Sequence, residues 1–348
     1  MRDEGAFERP FELRKNLPLA LCACLSLIAA GSAAAGERLD AIKQRGVLTC
    51  GVGANVPGFS QRDARGAWQG FDVDICKAIA AAIFGDARKI AFKPIDTLEN
   101  FLREPDIDMV LRGLTWTFGR EIPASLRYGP ILLYDGQGFL VPKKLAIATP
   151  DALSGKSICV STDAGFLTGL RTYFGNRKLV LKAVVKERRV AAEDAFFAGE
   201  CDAMTADASE LAEAVIGKPP RPDEFVILPQ QISKEPLAPL LRKGDDQFFD
   251  IVRWAIFATI DAEELGIDSG NVERMRASED PDIKFFFAAP PKGTQGFSPA
   301  WSASIVRDVG NYGEIFERTL GAKSRAKLPR GLSRLWSEGG LLYAPPIR

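Results

Sequence analysis

Histidine is missing altogether from the 348 residues. That absence removes Ser-His-Asp and Cys-His catalysis, and histidine-ligated zinc or iron with them. Covalent chemistry would fall to carboxylates, lysine, tyrosine or cysteine, whereas binding alone needs none of these. Net charge is missing too. Lys+Arg and Asp+Glu stand at 45 each, so no global basic field draws in nucleic acid or an anionic membrane. The sequence has no P-loop, no G-x-G-x-x-G after a strand and no metal-ligand cluster. Nothing is low-complexity. Past the N-terminal segment no run of about 18 apolar residues occurs, which excludes a later membrane-spanning helix. What remains is 46% apolar and 26% charged, a globular composition with room for one large domain or two medium ones.

The N-terminus has the layout of an export signal. Arg14 and Lys15 flank the apolar run "LPLALCACLSLIAA" (17–30), and the small-residue stretch "GSAAAG" (31–36) follows. The run is short for a membrane span. Cleavage is expected after Ala35, which leaves an exported, soluble chain; the "LCA" before Cys24 is a poor lipobox. Of the six cysteines, Cys22 and Cys24 leave with the signal, and Cys50, Cys76, Cys159 and Cys201 stay. None forms a C-x-x-C pair, and an even number in an exported chain favours disulfides. Three pairings are open. The local one, Cys50–Cys76 with Cys159–Cys201, would put one bridge in each half and stabilise each by roughly 3–4 kcal/mol.

Hydrophobic spacing along the chain alternates between the two regular periods. A helix is expected over 37–46, a strand over 47–53, a helix over 71–85 closed by Gly85, a strand over 89–95, a short helix over 97–105 and a strand over 107–111. This is the order of a parallel, helix-covered sheet. A strand over 132–144 leads to a second unit. There "SICVS", a helix over 166–175, "LVLKAVV" (179–185), a helix from 191 and "CDAMTA" (201–206) repeat the first order. "FVILPQ" (225–230) closes that unit, and 247–266 is a strong helix. Two such units suggest two lobes with a cleft between them, since ligands sit beyond the carboxyl ends of parallel strands.

The strand "DIDMVL" runs straight into "RGLTWTFGRE" (112–121). Thr115 and Thr117 flank Trp116, and Arg120 follows. An arginine fork pairs with a carboxylate through two parallel hydrogen bonds, a threonine hydroxyl and free backbone N–H groups assist, and Trp116 offers an apolar wall. In the second unit Asp207 ends the corresponding strand and suits an ammonium. One corner for a carboxylate and one for an ammonium describe an α-amino-acid seat. The alternative reading is an exposed arginine, a helix-capping aspartate and a core tryptophan.

Blocks along essentially the whole mature chain resemble the general L-amino-acid-binding periplasmic proteins of ABC uptake systems. They include "GFDVDICKAIAAAIFGD" (70–86), "TWTFGRE" (115–121), "YDGQGFLV" (134–141), "CDAMTAD" (201–207), "ILPQQISKEPLAP" (227–239), "NYGEIFER" (311–318) and "GGLLYAPPIR" (339–348). The resemblance implies an α/β type II periplasmic-binding fold with two lobes. Each lobe would be a mainly parallel sheet flanked by helices, and two crossing hinge strands would join them. Residues 36–141 and 237–348, with a C-terminal extension, would form lobe 1, and 142–236 lobe 2. The resemblance also implies capture of an amino acid or amine, no cofactor, no metal and no catalysis. The protein would be a monomer that hands its ligand to an ABC permease and its ATPase. The four mature cysteines stand at family cysteine positions, which implies the local pairing.

Carried over by motif, Arg120 resembles the clamp on the ligand carboxylate, Thr115 its helper and Asp207 the holder of the ammonium. Phe59 belongs to the loop that contributes to the side-chain pocket. Gly113 and Leu114 replace the family's Asn-Thr. In the second lobe "STDAGFL" (161–167) puts Asp163, Ala164 and Gly165 where a Gly-Thr-Thr-like loop would donate to the carboxylate. These departures imply a narrower or shifted ligand range, with Asp163 and Asp207 both facing the cleft. They also leave room for a ligand sensor or partner-docking protein that does not transport. An enzyme such as a small-molecule dehydratase is the remotest reading, for want of an acid/base pair.

Overall fold

A computed structural model describes residues 36–348 apart from 124, 163, 164 and 219. The export signal expected at 1–35 and the predicted site residue Asp163 lie outside the described residues. Two five-stranded sheets carry the architecture. In the first, Ile90–Pro94, Leu48–Val52 and Met109–Leu111 run parallel. Leu240–Arg242 adds antiparallel to Met109–Leu111, and Leu126–Tyr128 adds antiparallel to Leu240–Arg242. The second sheet has the same plan. Lys182–Lys186, Ser157–Ser161 and Ala203–Asp207 are parallel, and Gln137–Pro142 and Phe225–Ile227 follow antiparallel. The repeat of order expected from hydrophobic spacing is therefore a repeat of sheet topology.

The parallel strands are apolar throughout because helices cover them. Every residue of Leu48–Val52 is buried, and the helix Phe71–Phe84, itself buried along nearly its whole length, packs on them with Cys76 facing Cys50. The helix Asp246–Glu264 packs behind that one with Phe248, Ile251, Val252 and Ala255 buried, and Trp301–Asp308 completes the layer. In the second sheet Phe166–Asn176, Arg189–Phe197 and Ala208–Gly217 do the same work. Cys50 is bonded to Cys76 and Cys159 to Cys201. Each bridge ties the first strand of its lobe's parallel set to the chain that follows, and loops of 26 and 42 residues correspond to about 3.5 and 4 kcal/mol.

One expected element is two. The strand read over 132–144 is Leu133–Asp135 and Gln137–Pro142, separated at Gly136. A Cβ at Gly136 would lie 2.3 Å from the Ser233 carbonyl oxygen, so only glycine allows the two chains to pass so close. Leu133–Asp135 pairs antiparallel with Glu235–Leu237, a two-stranded ribbon between the sheets. These are the crossing hinge strands. The changeover between sheets comes at Gly136, so 137–141, read as the end of the first part of lobe 1, pairs in the second sheet. The return at 236/237 falls at the end of the other ribbon strand.

Candidate functional site

On the first-lobe side, the segment after Met109–Leu111 is held by the hinge. Thr115 bridges Leu237, and the Trp116 N–H donates to the Pro236 carbonyl at 2.8 Å. Gly113 has φ +63°, a left-handed turn that a side chain would strain, and a Cβ there would meet only Leu237 at 4.0 Å. Trp116 stacks on Tyr128 with ring centroids 5.7 Å apart, and its indole N–H donates to Glu121 at 2.8 Å. Arg120 Nη1 donates to the Thr115 carbonyl at 3.0 Å, and the Tyr128 hydroxyl donates to the same oxygen at 3.1 Å. Among the described residues no carboxylate is paired with Arg120. Its guanidinium is thus oriented by one backbone acceptor and otherwise open.

On the second-lobe side, Asp207 ends Ala203–Asp207 beside the other end of the ribbon. It pairs in register with Gln137, and the Ala208 N–H donates to the Gly136 carbonyl at 2.9 Å. Asp207 stands at the N-cap position of Ala208–Gly217, yet its side chain caps nothing, and its Oδ1 is buried with no hydrogen-bond partner. Burial first, and then the charges of Asp135, Glu210 and Glu235, push its pKa up to about 8, against the opposing pull of Arg189. Asp135 is itself pushed up to about 6 by burial, although the Ser209 N–H donates to it at 3.2 Å. Acidic groups are therefore crowded on this wall, and Asp207 is held protonated until a cation arrives to favour its charged form.

The other predicted residues divide. Thr115 presents its carbonyl to Arg120, as above. The Thr117 hydroxyl accepts from the Arg120 N–H at 3.3 Å as the cap of the helix Phe118–Glu121, so it holds the turn. Trp116 is 37% exposed, a wall with one open face and not a core residue. Phe59 is 3% exposed and packs edge-on against Phe71 at 6.1 Å. Gly165 caps Phe166–Asn176 with φ +77°, and nothing lies within 4 Å of where its Cβ would be.

Sequence reasoning missed Tyr128, which orients Arg120, and the acidic neighbours Asp135 and Glu235. Both acids sat inside quoted blocks, "YDGQGFLV" and "SKEPLAP", but their convergence on Asp207 depends on the ribbon pairing Glu235 with Asp135. Among the described residues no group of histidine, cysteine, aspartate and glutamate is placed to hold a metal ion, and no helix is long and apolar enough to cross a membrane.

This two-sheet, hinged geometry has known relatives. The sequence pattern of the bacterial extracellular solute-binding proteins, family 3, matches residues 48–266. The chain belongs to that family. It is 43% identical over 341 residues to the general L-amino acid-binding periplasmic protein AapJ of Rhizobium johnstonii, covering 96% of this chain and 100% of the relative. The glutamate/glutamine/aspartate/asparagine-binding protein BztA of Rhodobacter capsulatus is 39% identical over 329 residues, 93% of this chain and 97% of its own. A periplasmic binding protein from Brucella ovis, solved with glutathione bound, superposes with a TM-score of 0.75 at 42% identity, covering 89% of this chain and 99% of that one. The family 3 match ends at residue 266, so the C-terminal extension, which packs through Trp301–Asp308 on Phe71–Phe84, lies outside it.

Proposed function

We propose that this solute-binding protein captures an amino acid or an amino-acid-like amine in the periplasm and delivers it to an ABC permease. Residues 1–35 would be the cleaved export signal. The two lobes would close on the ligand about the ribbon, and the closed form would dock on the permease. The observation that carries this reading is a pair of unspent ionisable groups anchored to one ribbon. Arg120 is open on the first-lobe side, and Asp207 has a buried, unpartnered Oδ1 on the second. Thr115 bridges Leu237, which pairs with Leu133, and Asp207 pairs with Gln137. Leu133 and Gln137 are separated by roughly 13 Å at ~3.3 Å per residue, so side chains from the two ends can converge on one small zwitterion. The relatives that bind L-amino acids, or glutathione with its α-amino-acid end, support the same ligand chemistry. No step of covalent chemistry enters this function.

Thermal-shift and calorimetric titration with L-amino acids, simple amines and glutathione test it. Stabilisation by one of these classes, lost in Arg120→Ala, is the expected result. Stabilisation by none of them, or unchanged binding in Arg120→Ala, overturns the reading.

A further inference from the structure

Among the described residues of the first lobe, Ser60 Oγ, Asp72 Oδ2 and Arg112 Nε are buried without a hydrogen-bond partner, as is Arg253 Nε, which stands apart on the helix Asp246–Glu264. Such groups are rare in folded proteins and call for a reason. The first three come from three separate segments that the fold draws together. Ser60 is fully buried, and its Oγ stands 3.2 Å from the Cβ position of Gly53, just past the strand Leu48–Val52. Asp72 lies in the first turn of Phe71–Phe84, is 3% exposed, and its N–H donates to the Phe59 carbonyl next to Ser60. Arg112 follows Met109–Leu111 directly. Leu48–Val52 and Met109–Leu111 are parallel neighbours, so the cluster sits at the carboxyl ends of two parallel strands, where ligands bind in open α/β sheets.

Asp72 and Arg112 feel one another. Burial pushes the Asp72 carboxyl up to about 7, and the Arg112 charge opposes that rise. They are nevertheless not bonded: no hydrogen bond or ion pair joins them, and Arg112 donates to no protein acceptor among the described residues. A guanidinium Nε buried without an acceptor is costly unless one arrives. Arg112 also immediately precedes Gly113 and the Thr115–Arg120 turn, so it stands next to the carboxylate corner without being part of it.

Resting on the amino-acid reading above, we infer that Arg112 is a specificity-determining residue of the cleft. It would take an oxygen acceptor on the distal part of the ligand, a side-chain carboxylate or amide carbonyl, with Asp72 and Ser60 as the buried polar backing that holds its fork. Arg120 would then select the α-carboxylate common to all amino acids, and Arg112 would rank them by what their side chains carry.

The test uses the mature chain, titrated calorimetrically with L-glutamate, L-glutamine, L-leucine and L-alanine. Arg112→Met is expected to weaken glutamate and glutamine by about ten-fold or more and to leave leucine and alanine within about three-fold. Since Arg112→Met leaves Asp72 without its nearest positive charge, the double variant Asp72→Asn/Arg112→Met is measured alongside and should show the same selective loss. A uniform loss across all four ligands in both variants, or an unchanged ratio of glutamate to leucine affinity, overturns the inference. Arg120→Ala separates the two readings. If it abolishes all binding while the Arg112 variants leave the ratio unchanged, the seat stands and the specificity role falls. If Arg120→Ala binds normally, or the unmodified chain binds none of the four, the seat itself is wrong and the inference goes with it.

Discussion

Replacing Asp207 by asparagine should strengthen the empty protein and ruin its binding, two effects of opposite sign from one atom. The carboxyl rises from an ordinary value of 3.8 to about 8, through burial first and then through Asp135, Glu210 and Glu235, with Arg189 opposing. The sign follows by linkage. A carboxyl whose folded pKa is raised binds more protons folded than unfolded, so above pH 3.8 the empty protein loses stability as pH climbs towards about 8. At about 1.36 kcal/mol per pH unit, the ceiling at pH 7 is roughly 4 kcal/mol. Partial solvent access lowers that, and a gain of about 1–2 kcal/mol for Asp207→Asn is the working figure.

Urea unfolding of the empty protein from pH 4 to pH 8 reads this directly. The gain should be near zero at pH 4 and grow with pH. Calorimetry on the same variant should show ligand affinity down by about 2–5 kcal/mol, since an ammonium that loses its buried counter-charge is left unpaired. A helix cap behaves differently. Asparagine caps as well as aspartate, so a purely capping Asp207 would give no pH-dependent gain and no loss of binding. A variant that is destabilised at pH 7, or one that still binds with unchanged affinity, refutes the assignment.

The same carboxyl makes capture release protons. With a value near 8 it is mostly protonated in the empty protein at pH 7, so binding an ammonium there should release about 0.9 proton, read from titrations in buffers of different ionisation enthalpy. Affinity should also rise about ten-fold from pH 6 to pH 7, and a flat profile speaks against it. Replacing Cys159 and Cys201 together by serine should cost about 4 kcal/mol in urea unfolding, and peptide mapping of the oxidised protein should recover 50 with 76 and 159 with 201. Gly169→Ala would put a Cβ 2.3 Å from Gln137 Oε1, whose Nε2 donates to Phe166 O and Thr205 Oγ1. A loss of about 1–3 kcal/mol is expected, and a neutral result means Gln137 swings away at no cost.

Much of this fold was legible because its parallel strands are buried on both faces and its helices carry long apolar stripes. "LTCGV" and "FDVDICKAIAAAIF" announce themselves locally. The hinge did not. Glu235–Leu237 and Leu240–Arg242 are strands of three residues broken up by Pro236 and Pro239, and a proline has no N–H to offer a ladder. Their identity as strands lies in pairing with residues about a hundred positions away, which no local period encodes. The site divides in the same way. Arg120 and Asp207 were visible as odd polar residues at strand ends. The acids that crowd Asp207 are long-range consequences of that ribbon, and Tyr128 is placed by the equally distant pairing of Leu126–Tyr128 with Leu240–Arg242. Phe59 shows the converse: its loop is exposed at Asn55, but its ring turns inward against Phe71.

The extension beyond the family match explains why so short a ribbon can serve as a hinge. A two-stranded ribbon of three-residue strands has little stability of its own. The C-terminal segment supplies what it lacks. The Tyr312 hydroxyl donates to the Leu132 carbonyl at 2.6 Å, Ser333 Oγ accepts from the Tyr134 N–H at 2.9 Å, and the Tyr134 hydroxyl donates to the Leu341 carbonyl at 3.0 Å. All three bonds fall on one ribbon strand and its approach, before Gly136. That strand is therefore fastened to the first lobe, and the chain turns at Gly136 past Ser233 to enter the second sheet. The lobes already meet on the loop after Leu48–Val52, where a Cβ at Gly58 would lie 2.7 Å from Ile216 and one at Gly217 would lie 3.3 Å from Pro57. Any opening of the cleft must break that contact while keeping the bonds of Tyr134. On the proposed seat, Arg120 and Asp207 would separate about that anchored strand, and a ligand bridging them would work against the bend and not against the packing of either lobe.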